Sequence, residues 1–385
     1  MRKPTLIPVL VLPLLAGQAL AQDDPAAAPA PAVASATEPT APTAPATPPV
    51  SFTWEGLVDM YYMYNFTGDP STQGPLLRNF DKTANSFSLS FAKLAAGVDT
   101  ERVAFRVDLG AGHTAAIINA GSLASSNAIY PEIADSEYTN DFLVEQAYGT
   151  LKLTSSLSLD VGRFVTSAGA EVIEANKNWL YSRSFLFYGI PLLHTGARVN
   201  AQLTPALKVQ LSLVNGWNND PDNNVGKTGG VSVLFSPPDS GLNVAVNSYF
   251  GKEDNNSGGD VRFLLDGVVT KDIGSLSLGA NVDYVKQGDL WWVGGALMAR
   301  YFLSDSLNLA ARGELIKSKA GAFDILLTED ALLYEGTAMV GYVVAKHFEV
   351  RAEARADFSN KELFRKGEEP RKNQFTGTLA FLTYF

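Results

Sequence analysis

The chain has 385 residues, of which 46% are hydrophobic and 18% charged, and its 40 Asp and Glu outweigh 30 Lys and Arg for a formal charge of −10. That balance excludes a nucleic-acid-binding surface, which needs concentrated basic side chains. The lack of cysteine excludes disulfides, thiolate metal sites and a thiol nucleophile, and His113, His194 and His347 are too few for a multi-histidine metal centre.

Arg2 and Lys3 precede a short apolar run at 6–15 that Pro8 and Pro13 interrupt, and Ala19-Leu20-Ala21 is an A-x-A cleavage site. This pattern predicts an export signal over residues 1–21 rather than an anchor, because the run is too short to cross about 30 Å of hydrocarbon. Residues 22–50 are rich in Ala, Pro and Thr and hold eight of the twenty prolines. With so few large apolar side chains the stretch is expected to be a disordered spacer.

From Ser51 onward no segment offers the 18 or so uncharged apolar residues of a spanning helix. The nearest, 111–131, is rich in Asn, Ser and Gly and reads as a loop. Alternation of apolar and polar residues recurs instead, which is the period of a strand with two unlike faces. Val103, Phe105, Val107 and Leu109 alternate with polar or small residues, and Leu193, Thr195, Ala197, Val199, Ala201 and Leu203 alternate with His194, Gly196, Arg198, Asn200 and Gln202. The sharpest case sets Phe348, Val350, Ala352, Ala354, Ala356 and Phe358 against His347, Glu349, Arg351, Glu353, Arg355 and Asp357.

Such segments occur at 52–66, 85–98, 102–112, 141–153, 157–167, 193–204, 207–217, 229–236, 241–252, 260–271, 275–286, 291–302, 306–317, 332–345, 347–358 and 373–385, sixteen in all. The spacers after even-numbered segments are tiny, whereas most after odd-numbered ones are long: 67–84, 113–140, 168–192, 218–228, 318–331 and 359–372. Sorting of loop length by strand parity, with an even strand count, is the signature of an all-β transmembrane antiparallel barrel over residues 51–385. Aromatics gather near strand ends, at Phe52, Trp54, Tyr62, Tyr64, Trp217, Tyr249, Phe250, Trp291, Trp292, Tyr301, Phe302 and Phe348, as two girdles at the membrane boundaries require.

A sheet in hydrocarbon must close, and sixteen strands leave room for water inside. The polar phase of the segments carries Glu55, Asp59, Arg102, Arg106, Asp108, Arg198, Arg312, Glu314, Arg351, Glu353 and Arg355. A dry core would not hold so many charges, so the phase predicts the lining of a channel for small polar solutes or ions, with outer-membrane lipid outside. The alternative is a salt-bridged, plugged barrel of structural or adhesive role. Two residues break the phase: Lys93 sits among apolar positions, where snorkelling to an interface would rescue it, and Arg163 shares a phase with Leu157, Leu159 and Val161 unless a bulge intervenes.

The run at 52–66 (FTWEGLVDMYYMYNF), Gln146-Ala147-Tyr148, Gly162-Arg163-Phe164, Glu171-Val172-Ile173-Glu174, Tyr181-Ser182-Arg183-Ser184 and Asn215-Gly216-Trp217-Asn218 resemble a bacterial family, the putative β-barrel porins, OmpL-like. The resemblance implies an outer-membrane porin and no particular solute. By analogy with sixteen-stranded porins it also implies an inward-folding third outer loop, here 168–192, and a homotrimer. The terminal Phe385 looks like the signal that such barrels present to their assembly machinery, with both chain ends periplasmic. Glu171 and Glu174 are then expected to face wall arginines, best Arg102, Arg106 and Arg198, while Arg183 either joins that field or pins the loop.

A hydrolase would place Ser182 or Ser184 against His194, although no local signature supports it. The sequence Asp220-Pro221-Asp222-Asn223-Asn224 is rich in calcium ligand types, but the same residues are ordinary turn formers. No cofactor, metal or enzymatic activity is expected.

Overall fold

The computed structural model describes residues 50–68, 74–123, 141–254, 259–324 and 327–385, without the side chains of 121–123. The expected signal segment and all but the last residue of the spacer lie outside these residues. In chain order the strands are β1 (Ser51–Asn65), β2 (Ser86–Asp99), β3 (Val103–Ala111), β4 (Phe142–Lys152), β5 (Leu157–Val165), β6 (Leu193–Thr204), β7 (Leu207–Val214), β8 (Thr228–Phe235) and β9 (Leu242–Lys252). They continue as β10 (Val261–Ile273), β11 (Leu276–Gln287), β12 (Leu290–Phe302), β13 (Leu307–Ser318), β14 (Ala331–Ala345), β15 (Phe348–Ser359), the short hairpin β16 (Phe364–Lys366) and β17 (Glu369–Arg371), and β18 (Asn373–Tyr384). Apart from the hairpin, every strand pairs antiparallel with its neighbour in the chain, and β18 returns to β1 to close a sixteen-stranded barrel. The closing register runs from Leu57 opposite Tyr384 to Asn65 opposite Thr376.

The sixteen alternating segments coincide with these sixteen strands, with ends differing by at most three residues. One end of the barrel holds the tight connections, such as 100–102, 205–206 and 274–275, and the other the long ones, apart from the two-residue turn at 288–289. On β15 the outward Ala352 and Ala354 are exposed, whereas the inward Arg351, Glu353, Arg355 and Asp357 are buried. Closure satisfies the backbone along every strand, so only side chains meet lipid. A charge placed on that outer face at mid-height costs about 2–4 kcal/mol. Ala354→Arg is therefore expected to lower the folded fraction in vesicles. An unchanged urea midpoint for this variant would place Ala354 away from hydrocarbon.

Exposed aromatics lie near both strand ends, with Phe52, Trp54, Phe105, Tyr301 and Tyr342 toward the short turns and Phe66, Phe87, Phe142, Phe250 and Tyr334 toward the long loops. Three aromatics assigned to the girdles from sequence are instead interior: Trp217, Tyr249 and Trp292 are buried. Trp292 follows the outward Trp291 and so must point inward, and Tyr249 shares the inward phase of Asn247.

The two phase-breaking residues resolve differently. Register slips between β1 and β2 from Asp59 opposite Phe91 to Met60 opposite Leu89, leaving Ser90 as a bulge. The bulge turns Lys93 into the lumen, where it is buried, rather than to a membrane interface. Arg163 has no bulge beside it. It stays on the outward phase at the long-loop end of β5, bridging to Asp220 at 3.3 Å, while Phe164 points inward and is buried.

The segment read as a loop at 111–131 forms helix α1 (His113–Leu123), and its remainder lies outside the described residues. Gly112 makes the turn into it at φ 112, a conformation that side chains resist. Ala115, Ile117 and Ile118 are buried in the barrel's interior cluster. That packing outweighs the loop-like composition of the sequence.

Candidate channel constriction

Residues 166–192, which join β5 to β6, fold into the bore as expected. They contain a single 3-10 turn (Ala175–Lys177) and the short helix α2 (Phe185–Gly189), whose five residues are all buried. Ser184 caps α2 by accepting the Phe187 N–H at 3.0 Å. So short a segment cannot satisfy its own backbone, and the inner wall does so instead.

Wall carboxylates take the loop's N–H groups. Glu353 accepts from Tyr181 and Ser182 at 2.7 and 3.1 Å, and Glu314 from Phe185 and Leu186 at 2.7 and 2.6 Å. Wall arginines take its carbonyls. Arg351 donates to Ala175 and Asn178 at 2.9 and 3.0 Å, Arg312 to Ser182 at 3.0 Å, and Arg355 to Arg183 at 2.5 Å. Each of these arginines is also held along the wall, Arg351 by Glu349, Arg312 by Glu335 and Arg355 by Asp357. Asn281 anchors the start of the loop by accepting the Ala170 N–H at 3.1 Å.

Glu171 and Glu174 meet cations, but not the arginines expected. Glu171 pairs with Arg312 at 2.7 Å and also accepts the Ser184 N–H at 2.8 Å. Glu174 pairs with Lys93 at 2.5 Å and with Lys177 at 3.5 Å. Much of the loop lies against the β11–β15 wall, and the bulge at Ser90 brings Lys93 inward. Arg102 sits exposed in the short turn between β2 and β3, Arg106 is engaged by Glu55 and Asp108, and Arg198 by Asp160 at 2.8 Å. Arg183 is a pin: its guanidinium bonds the carbonyls of Val172, Tyr181 and Ile173 and lies 5.2 Å from the Phe80 ring.

His194 is bonded to the Gly216 carbonyl at 2.9 Å and the Thr166 hydroxyl at 3.2 Å and stacks on Tyr249. Among the described residues it has no serine partner; the Ser182 hydroxyl accepts from Arg355 at 3.3 Å and Ser184 caps α2, so the hydrolase arrangement is not assembled. In the 220–224 segment Asp220 pairs with Arg163 and Asp222 with Lys227, while Asn224 ties the loop to the Lys252 and Asp254 carbonyls, which is turn and loop chemistry.

Three contributors escaped the sequence reading. Arg78, on the loop after β1, is buried between Asp81 at 2.5 Å and Asp357 at 3.1 Å. Lys93 lies between Asp108 at 2.7 Å, Glu145 at 2.9 Å and Glu174. Glu145 faces inward because register slips again between β3 and β4, from Asp108 opposite Gln146 to Leu109 opposite Val144. Only an unexplained lysine in an apolar phase signalled this cluster.

The bore is unequal around its circumference. Inner-wall charges on β13–β15 are buried beneath the loop, whereas Arg106, Thr150, Lys152, Ser158, Asn200, Gln202, Lys208 and Ser212 on β3–β7 remain half-buried. Lys177 at the loop edge reaches Glu55 at 3.0 Å, and Glu55 reaches Arg106 at 2.8 Å, so loop and wall meet there through a partly wet ion chain.

Burial alone pushes the Glu174 carboxyl up, but the ammoniums of Lys93 and Lys177 override it and hold the group well below the usual carboxylate range. The negative charge of Glu174 in turn raises Lys177. A depressed carboxyl stabilises the fold at pH above its unfolded value, about 4.3, and loses that contribution as pH falls through the depressed value. Hydrogen exchange of amides 172–178 is accordingly expected to stay slow from neutral pH to about pH 4 and to accelerate only in stronger acid. Acceleration already near pH 6 would contradict this latch.

No curated relative matches the sequence. Solved structures resemble the fold at low identity. The outer membrane channel DcaP of Acinetobacter baumannii is 11% identical with a TM-score of 0.58, over 89% of this chain and 99% of that one. An anion-selective porin from Comamonas acidovorans is 12% identical with a TM-score of 0.58, over 88% of this chain and 100% of that one. OmpF of Salmonella typhi is 13% identical with a TM-score of 0.56, over 87% and 97%. These likenesses establish the fold alone. With residues 51–385 matching the family described as "Putative beta-barrel porin-2, OmpL-like", the chain belongs to that family of outer-membrane porins.

Proposed function

We propose that this porin passes small hydrophilic solutes and ions by passive diffusion between its anchored loop and the β3–β7 wall. The observation that carries the reading is the half-buried polar lining on that side, opposite a loop anchored to the far wall through Glu171 and Arg312. Half-buried basic groups on the lining and loop edge are Arg106, Lys152, Lys177 and Lys208, against the acidic Glu55 and Asp99. The excess favours a weak anion preference, as in the anion-selective Comamonas acidovorans porin. Reversal potentials in a salt gradient across planar bilayers test this, and Lys208→Glu is expected to move them toward cations. An unmoved potential removes Lys208 from the path.

Export, long loops facing outward, both termini in the periplasm and assembly through the Phe385 strand belong to the same reading, as does a homotrimer. A second reading, the filled structural barrel, draws on the apolar cluster in which the loop's Phe185 and Leu186 pack with Trp292, Phe323 and Leu333. Purified protein that stays silent in bilayers while folded would favour it.

A further inference from the structure

In a chain of formal charge −10, no Asp or Glu points outward from any of the sixteen barrel strands. The charged residues on that phase are all basic: Arg163, Lys252, Lys271, Lys286 and Lys317. Lys271 stands at the short-turn end and donates to the Ser240 carbonyl at 2.5 Å. The other four stand at the long-loop end, and Arg163 is bridged to Asp220.

Lys286 on β11 and Lys317 on β13 are exposed, and among the described residues neither is ion-paired. Asp330, on the connection after β13, is held by Lys319 at 2.9 Å instead. Trp291 lies between the two lysines. It is opposite Lys286 in the β11–β12 register, and its ring is 5.9 Å from the Lys317 ammonium. Lys317 is opposite Val293, two residues along β12 from Trp291, so across two strand spacings and that offset the lysines are rooted about 12 Å apart, within reach of one headgroup for two such long side chains. Toward mid-height the same outer face presents Val282, Leu297 and Leu315, which are 56%, 71% and 49% exposed.

Unpaired cations flanking an interfacial indole, above a broad apolar surface, match a ligand with anionic head and acyl tails. Lysines that merely escape hydrocarbon need only water, and would not call for exclusion of every acid from the outer face. We propose that Lys286, Trp291 and Lys317 form a headgroup site for a phosphorylated glycolipid of the outer leaflet. The leaflet follows from the outward orientation of the long loops, so the proposal rests on that part of the preceding reading.

The test is retention of diphosphorylated lipid A by the detergent-purified full chain, read by native mass spectrometry. Lys286→Gln/Lys317→Gln is expected to bind it about 30-fold more weakly. Lys271→Gln, at the opposite rim, is expected to bind as the parent does and controls for folding. Dephosphorylated lipid A is expected to be lost from the parent. Equal retention by the double variant, or equal binding of the dephosphorylated form, overturns the site. Equal binding of phosphatidylglycerol overturns the assignment to a glycolipid. Bilayer conductance recorded on the same samples keeps the outcomes separate, because a silent channel that retains lipid A through these lysines refutes transport and leaves the lipid site standing.

Discussion

Single-channel conductance of a Glu314→Ala/Glu353→Ala double variant is expected to be larger and less steady than that of the parent porin. These carboxylates, themselves buried, accept the backbone N–H groups of Tyr181, Ser182, Phe185 and Leu186 at 2.6–3.1 Å. A buried N–H left without a partner costs about 1–3 kcal/mol, and the double variant orphans four together while the bonds from Arg312, Arg351 and Arg355 to the loop's carbonyls remain. The apolar side chains of Phe185 and Leu186, fully buried, oppose release. Burial of two such side chains is worth about 1.5–3 kcal/mol each, less than the four orphaned donors at the upper end of their range. The loop should therefore leave the β13–β15 wall for part of the time and widen the path. Ser184→Ala, which removes only one capping bond, should change conductance much less. Parent-like amplitude and noise in the double variant would show that the loop does not set the aperture.

The barrel was legible in the sequence because one physical demand repeats along it. Each strand meets lipid on one side and charge on the other, so the period of two is written into β15 as plainly as residues allow. Loop parity added the two ends. Bulges are the opposite case. Ser90 and Glu145 each insert one residue without any compositional mark, and every assignment after them on the same strand inverts. Lys93 therefore read as a lipid-facing anomaly, though it is buried in the lumen.

The loop was legible as an inward fold by analogy, but its partners were not. Pairing depends on which wall the loop lies against, and that is decided by the fit of Trp179, Phe185 and Leu186 among Met298, Trp292 and Phe323 rather than by charge spacing. Helix α1 and the β16–β17 hairpin escaped for a related reason. Both are connections of ordinary loop composition that gain structure by packing onto the barrel mouth, where Ala115 and Phe364 are buried.

Lys93→Met is expected to be the most damaging single substitution in the lumen, and calcium is expected to repair part of the damage. The ammonium lies 2.5–2.9 Å from Asp108, Glu145 and Glu174, whose oxygens come within 4.8 Å of one another. With Glu55, Arg106 and Lys177 joined to the same cluster, four negative charges face three positive ones. Removing Lys93 leaves four against two in a buried place, and removing one partner of a buried ion pair costs about 3–5 kcal/mol. The urea midpoint in detergent should fall accordingly, and Glu174 should lose its hold on the wall. A divalent cation offsets the two uncompensated negative charges and finds three carboxylates already gathered. Millimolar calcium should thus raise the midpoint of Lys93→Met more than that of the parent, where the lysine fills the space. If calcium moves both proteins equally, the three carboxylates do not hold together without their lysine, and the cluster is organised by the loop rather than by charge.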